Sequence, residues 1–253
     1  MSVTSDADDE IAAALKAADA ERLDALERLA GGIAHDFRNI LAVIKGNVEL
    51  AMRRTDDPRI SSLLVEAERA AVLGAEMTEQ LLAFAQRRRA PSALLDVAAA
   101  VEGCAPLLKA ACGPHVTLGI EGTTTAALAA IDRSDLQRVL INLATNARDA
   151  MPGGGRAAVS VATVETSALA QLQSGPLEPG RYVRISVTDN GAGMSEAVRR
   201  RALDPFFTTK APGQGFGLGL ALARAFAIES GGGIDIESAP GGGTIASLYL
   251  KSR

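Results

Sequence analysis

The sequence predicts two parts, a helical hairpin over the first third of the chain and an α/β layered domain over the rest. Three observations carry this reading. Apolar residues between 23 and 51 recur at alternating steps of three and four. A proline turn near residue 58 separates two such stretches. Beyond Pro91, strand-like runs alternate with helices.

The elements follow in order. Residues 1–21 begin with the acidic run MSVTSDADDE, expected as a frayed segment leading into a helix. A helical pattern covers about 11–54, with Leu23, Leu26, Ala30, Ile33, Phe37, Ile40, Ile44 and Ala51 on the seam and Asn47 filling one seam place. That is a heptad a/d seam rather than one loose apolar face. RTDDPRI then supplies a turn and a helix start. A second helix is predicted over about 58–88, through Leu63, Leu64, Ala67, Ala71, Met77, Leu81 and Phe84, ending in three arginines that suit the negative end of a helix dipole. Residues 22–90 thus form a hairpin that cannot bury its seam alone, so a homodimer forming a four-helix bundle is expected. Residues 91–253 form the layered domain, with strands in HVTLGIE, AAVSVATV, RYVRISVTD, GIDIES and TIASLYL and helices near 97–110, 133–150 and 218–229. The segment 166–180, with its glycines and prolines, reads as a surface excursion.

Composition narrows the function classes. The chain of 253 residues is 47% hydrophobic and 22% charged, with no tryptophan, which allows an aliphatic core. A formal net charge of -4 argues against a nucleic-acid partner, which needs a basic face to displace counterions. No apolar run approaches the roughly 20 residues that span a bilayer. With no signal peptide in evidence, the cytoplasm is the expected compartment. Cys104 and Cys112 lack metal-ligand spacing and read as buried thiols.

One of the two histidines lies in GGIAHDFRNI. With Ile33 at d and Phe37 at a, His35 falls at f, Asp36 at g and Asn39 at c, so His35 and Asn39 share the outward face one turn apart. An exposed imidazole near its reference pKa of about 6.5 is largely neutral at cytoplasmic pH and is a competent nucleophile. A neighbouring carboxylate can hold the proton on one ring nitrogen and direct the other at an electrophile. On this window alone, a solvated helix face accounts for the same residues equally well.

The second domain adds further patterns. Asn142 and Asn146 are spaced i, i+4 in LQRVLINLATNARDAMPGGG, with Asp149 close by. Mid-helix asparagines are poor helix formers, and the pair suggests side-chain oxygens ligating a hard cation such as Mg²⁺ beside nucleotide phosphates. Backbone capping by both amides is the structural alternative. In VTDNGAGM, Asp189 at a strand end precedes Gly191 and Gly193; such a carboxylate can accept a hydrogen bond from a base's exocyclic amine, although a tight turn looks the same. In LDPFFTTKAPGQGFGLGLALARA, Gly213, Gly215, Gly217 and Gly219 lead through Leu218 into an apolar helix, whose N-terminal amides suit phosphate oxygens. Lys210, Thr208 and Thr209 add donors, and Phe206 and Phe207 can anchor the loop. Neither the dinucleotide fingerprint nor the Walker loop is present. His115 reads as a strand-start residue.

In order, GGIAHDFRNIL, NLATNARDAM, DNGAGM, DPFFTTK and GFGLGLALA resemble the H, N, G1, F and G2 boxes of bacterial two-component sensor histidine kinases, in the branch with an H-D-F-x-N phosphoacceptor motif. SGGGIDIESAPGGGT is similar to the final glycine box. The likeness spans about residues 22–250. It implies a dimerisation and phosphoacceptor hairpin followed by an ATP-binding α/β sandwich akin to that of gyrase. His35 would be the phosphoacceptor, Asp36 the acid that orients or deprotonates it, and Asn39 part of a D-x-x-N pattern associated with dephosphorylating the partner. Asn146 would ligate Mg²⁺, Asn142 would lie near the phosphates and Asp189 would recognise adenine. Asp149, Gly191, Gly193, Lys210, Gly215, Gly217, Leu218 and Gly219 would shape the ATP pocket and its lid. Three positions depart from common patterns. Arg38 stands where many relatives have asparagine, Asp149 where other branches are often basic, and Ile40 where many have proline.

The expected function is ATP-dependent autophosphorylation of His35 and transfer to an aspartate of a response-regulator receiver domain, with phosphatase activity on that partner as well. No sensor domain or membrane span precedes the hairpin, so the input is expected through an upstream sensor protein or the N-terminal helix, unless the chain is a truncation. Gly31 and Gly32, each costing a helix about 1 kcal/mol relative to alanine, are expected to form a bending point. The rivals are a histidine phosphotransfer protein that has lost nucleotide, an anti-sigma-type serine kinase of the same superfamily, and a coiled-coil interaction module.

Overall fold

The computed structural model describes residues 37, 39–85, 93–122, 127–211, 215 and 217–253. His35, Asp36, Arg38, Gly31, Gly32 and Gly213 lie outside the described residues, as do the seam positions before Phe37 and the arginines at 87–89. The chain divides into two units, Met1–Arg88 and Arg89–Arg253.

In the first unit, helix α1 (39–52) and helix α2 (Pro58–Ala85) form a hairpin. The turn between them is built as its residues dictate: Asp57 Oδ1 accepts from the Arg59 amide at 2.8 Å, capping α2 ahead of Pro58, which needs no partner at a helix start. Gly74 sits where a Cβ would come within 3.1 Å of Leu41, so the helices approach closely there. Asn47 bonds its own helix, its Nδ2 donating to the Val43 carbonyl at 2.9 Å. Phe37, Ile40, Val43, Ile44, Leu50, Ile60 and Leu63 remain exposed.

The second unit is built on a five-stranded mixed sheet. Its strands are β2 (Val116–Glu121), β4 (Gly155–Thr166), β7 (Gly180–Asp189), β9 (Thr244–Lys251) and β8 (Gly233–Ser238), in that spatial order. Only β2–β4 is parallel. Strand β1 (Ala93–Asp96) pairs antiparallel with β3 (Leu128–Ile131). Helices α3 (Val97–Gly103), α4 (Ala105–Cys112), α5 (Arg133–Asp149) and α7 (Gly219–Glu229) share one hydrophobic core with the sheet. On β7 the residues Val183, Ile185 and Val187 enter that core, alternating as a pleated strand requires. Asp96 and Asp132 cap α3 and α5, each accepting two backbone amides.

Two expectations are revised. The helix predicted over 97–110 is two helices that break at Cys104, because Pro106 has no amide to continue the ladder. The excursion at 166–180 contains β5 (Ala170–Leu172) and β6 (Gly175–Leu177), an antiparallel pair that buries Leu172 and Leu177 with Tyr182 in a second small cluster. This pair is tied to β8. Ser174 N donates to the Ile234 carbonyl, Ile234 N to Ser174 Oγ and Gln173 N to Asp235 Oδ1, at 2.9–3.1 Å. A short helix α6 (Glu196–Arg201) follows β7. Cys104 and Cys112 are free and buried, and burial pushes both thiols up. No described helix is long and apolar enough to cross a membrane.

Candidate functional site

Helix α5 supplies the floor of the site. Leu136, Val139, Leu140, Leu143 and Ala147 turn into the core, which leaves Asn142 and Asn146 half-buried on another face. The start of α7 rests on them. A Cβ at Gly219 would meet Asn142 Cβ and Asn146 Nδ2, each at 3.6 Å. Leu218, the residue before α7, is buried and accepts the Leu222 amide at 2.9 Å. The first amides of α7 therefore open beside both asparagines, with the positive end of the helix dipole behind them.

At the end of α5, Asp149 forms the centre of a charged cluster. Arg148 Nε and Nη2 donate to its Oδ1 at 2.9 and 2.7 Å, and Lys210 Nζ reaches its Oδ2 at 2.5 Å. The same Lys210 ammonium donates to Asn146 Oδ1 at 3.3 Å. Burial raises the Asp149 carboxyl, but the hydrogen bonds and charges of Lys210 and Arg148 together hold it below its ordinary value. Arg148 Nη1 also donates to the Ala111 carbonyl at 3.1 Å, tethering the cluster to the end of α4.

Asp189 lies on the strand whose following turn meets the end of α5. It is a buried carboxylate at the end of β7 whose Oδ1 accepts the Gly191 amide at 2.8 Å. Burial pushes its carboxyl up, and the backbone amides of Gly191 and Thr244 pull it part of the way back. The turn after it is pinned to the end of α5. Ala192 N donates to the Ala150 carbonyl at 3.0 Å, and a Cβ at Gly191 would lie 2.6 Å from that same oxygen, so only glycine fits. Gly193 has φ +65 and its Cβ would strike the Ala239 carbonyl. Asn190 is used structurally, its Oδ1 accepting the Arg156 amide at 2.8 Å and so joining β7 to β4.

The segment after α6 is held through the Phe207 ring and the Phe206 backbone, while the Phe206 side chain, expected as a second anchor, is exposed. Arg201 lies 4.2 Å above the Phe207 ring, and Phe206 N donates to the Gly217 carbonyl at 3.0 Å. Phe206 has φ 65, a backbone conformation that side-chain-bearing residues adopt at some cost. Gly217 faces it with φ +65, packed on the Phe206 and Phe207 backbone. Thr208 Oγ1 accepts the Lys210 amide at 3.1 Å, and a Cβ at Gly215 would lie 2.8 Å from Lys210 Cδ.

The structure thus brings Asn142, Asn146, Asp149, Lys210, Gly215, Gly217, Leu218 and Gly219 into one neighbourhood and fastens the Asp189–Gly191–Gly193 turn to the same helix end. Asn39 stands exposed on α1 in the other unit. His115 lies just before β2, with its carbonyl accepting the Gly155 amide at 3.1 Å. Sequence reasoning passed over Arg148, whose backbone acceptor is 37 residues away. It also gave no role to Ser238, which accepts the Met194 amide and donates to the Gly243 carbonyl behind the turn.

A hard cation fits this donor set. Among the described residues no group of three or more His, Cys, Asp or Glu is placed to hold a metal, so a cation would rely on amide oxygen and on phosphates. Asn146 Oδ1 already draws a positive charge, the Lys210 ammonium.

Comparison with known proteins agrees with this architecture. Residues 25–90 match the His Kinase A (phospho-acceptor) domain, and residues 131–253 match the Histidine kinase-, DNA gyrase B-, and HSP90-like ATPase family. The sensor kinase CckA of Brucella abortus (strain 2308) is 32% identical over 235 residues, which are 92% of this chain and 25% of that protein. The signal transduction histidine-protein kinase AtoS of Escherichia coli (strain K12) is 31% identical over 235 residues, 92% of this chain and 36% of that one. The chain therefore spans a quarter to about a third of the length of these curated relatives. Full-length ShkA, solved in complex with AMPPNP, shares the fold with a TM-score of 0.63 at 19% identity, over 89% of this chain and 46% of that one.

Proposed function

Because the chain belongs to the histidine kinases, as the phosphoacceptor and ATPase core of a two-component kinase, we propose that it transfers the γ-phosphoryl group of ATP to His35. From there the group passes to an aspartate of a response-regulator receiver domain. The observation that supports this best is the convergence of Asn142, Asn146 and Lys210 with the open amides of α7, which is the equipment of a polyphosphate site.

The residues divide the work between base, phosphates and phosphoacceptor. Asp189 accepts a hydrogen bond from the adenine amine, its burial making that bond selective against bases without a donor. Gly191 and Gly193 let the backbone lie close to the base. Lys210, Leu218 and the α7 amides, with Gly215, Gly217 and Gly219 leaving room, face the phosphates. Mg²⁺ on Asn146 would share its shell with phosphate oxygens and neutralise their charge, with Asn142 beside it. His35 attacks the γ-phosphorus through the lone pair of one ring nitrogen, ADP leaves, and Asp36 holds the proton on the other nitrogen. Asn39, one turn on, orients the water that hydrolyses the partner's aspartyl phosphate.

The hairpin works as a homodimer in a four-helix bundle, and the chain acts in the cytoplasm. The direct test is His35→Ala with γ-labelled ATP. Labelling should fall to background while nucleotide binding persists; undiminished or acid-stable labelling removes the assignment.

A further inference from the structure

Asp149 and Lys210 do more than line the site. The Lys210 ammonium lies between Asp149 Oδ2 at 2.5 Å and Asn146 Oδ1 at 3.3 Å. Asp149 cannot follow it elsewhere, because its other oxygen is held twice by Arg148, and Arg148 is bonded to the Ala111 carbonyl on α4. The ammonium is therefore held on Asp149 and rests on the Asn146 oxygen that a divalent cation would take.

A divalent cation on that oxygen would have the ammonium as a close neighbour. Mg²⁺ sits about 2.1 Å from its ligands. An ammonium 3.3 Å from the same oxygen would then stand at most about 5.4 Å from it, where like charges repel in a partly desolvated setting. We propose that Lys210 is a displaceable internal cation: it guards Asn146 Oδ1 until a divalent ion enters with the phosphates, and Asp149 is the positioning residue that keeps it there. This rests on the nucleotide-binding reading above and adds to it a rule for metal dependence. The ammonium yields Asn146, stays near on Asp149, and finds a new counter-ion in the phosphates.

The test is calorimetric titration with AMPPNP, once with excess Mg²⁺ and once with EDTA, read as the ratio of the two dissociation constants. Removing the guard should favour the metal-bound mode. Lys210→Met should raise the Mg²⁺ preference roughly tenfold, within the usual span of site-to-site coupling. Lys210→Gln serves where circular dichroism shows the methionine variant unfolded. The double variant Lys210→Met, Asp149→Asn separates the causes. A preference that stays raised through tighter binding in Mg²⁺ supports competition for Asn146; one raised only by weaker binding in EDTA reflects the lost phosphate contact and overturns the proposal. One that returns to the wild-type value means that the freed Asp149 had become a metal ligand, and overturns the proposal. An unchanged preference in Lys210→Met overturns it as well, and so does complete loss of AMPPNP binding in that variant. Failure of the wild type to bind AMPPNP in either condition defeats the nucleotide reading itself.

Discussion

The two units solve the problem of apolar surface in opposite ways. The sheet domain buries Leu108, Leu136, Leu140, Ile185, Leu248 and Leu250 completely within one chain. The hairpin leaves Val43 and Leu63 about two-thirds exposed, at 64% and 65%. A soluble monomer seldom leaves so many large apolar side chains on one pair of helices. One unit keeps its large apolar residues in its own core, and the other shows several at its surface, on the hairpin proposed above to dimerise. The difference teaches where sensitivity should lie: in the sheet domain to the volume of a side chain, in the hairpin to its polarity.

Placing a charge on the hairpin face should have the largest effect. Leu63→Asp is expected to weaken dimerisation by more than about 100-fold, since an unpaired buried charge costs about 3–5 kcal/mol. Sedimentation velocity should show monomer while AMPPNP affinity stays within about twofold, because the second unit carries its own core; an intact dimer would break the comparison. Next comes Leu140→Ala, which opens a cavity in a completely buried position. It should cost about 3 kcal/mol in denaturant unfolding, whereas Val43→Ala measured at concentrations below dimerisation should cost under about 0.5 kcal/mol.

A smaller effect is expected at Asp189, the carboxylate proposed to read the base. Asp189→Asn should weaken AMPPNP binding roughly 10- to 100-fold, the worth of a hydrogen bond to a charged group, with the melting temperature nearly unchanged; equal affinity for AMPPNP would remove Asp189 from the adenine site. The smallest effect concerns Asp149. Its carboxyl lies below the ordinary value in the folded chain, so its stabilisation is present above the unfolded value of about 3.9 and is lost as pH falls through the folded value. Wild type should exceed Asp149→Asn in stability by under about 1 kcal/mol at pH 6, and the gap should close in strong acid. A gap that widens on acidification would mean that the carboxyl is raised in the folded chain, the opposite sign.

Much of the fold was legible because its signals are local. The strands β4, β7 and β9 are eight residues or longer and turn alternate, mostly aliphatic residues inward, and α5 announces itself through Asp132 and a clean apolar face. Strands β1 and β3 were not legible. Each is four residues long, and ALLD and LAAI suit a helix as well as a strand. The pair β5–β6 was hidden for a related reason. Three-residue strands show no period, and Leu172 and Leu177 are buried only because Tyr182 arrives from a later strand. In the site, Asn142, Asn146 and Asp189 stood out as polar residues in places that penalise polarity. Arg148 did not, since an arginine at a helix end is ordinary until the Ala111 carbonyl is brought to it.

The tie between the β5–β6 pair and β8 reaches beyond the fold. Strand β8 ends the five-stranded sheet, and a bare strand edge is a template on which another chain can add itself. Ser174 and Gln173 engage that edge at Ile234 and Asp235. The small excursion thus occupies the backbone groups of Ile234 that an added strand would use. Shortening it should be felt first as lost solubility at high protein concentration, well before any loss of the kinase core's own fold.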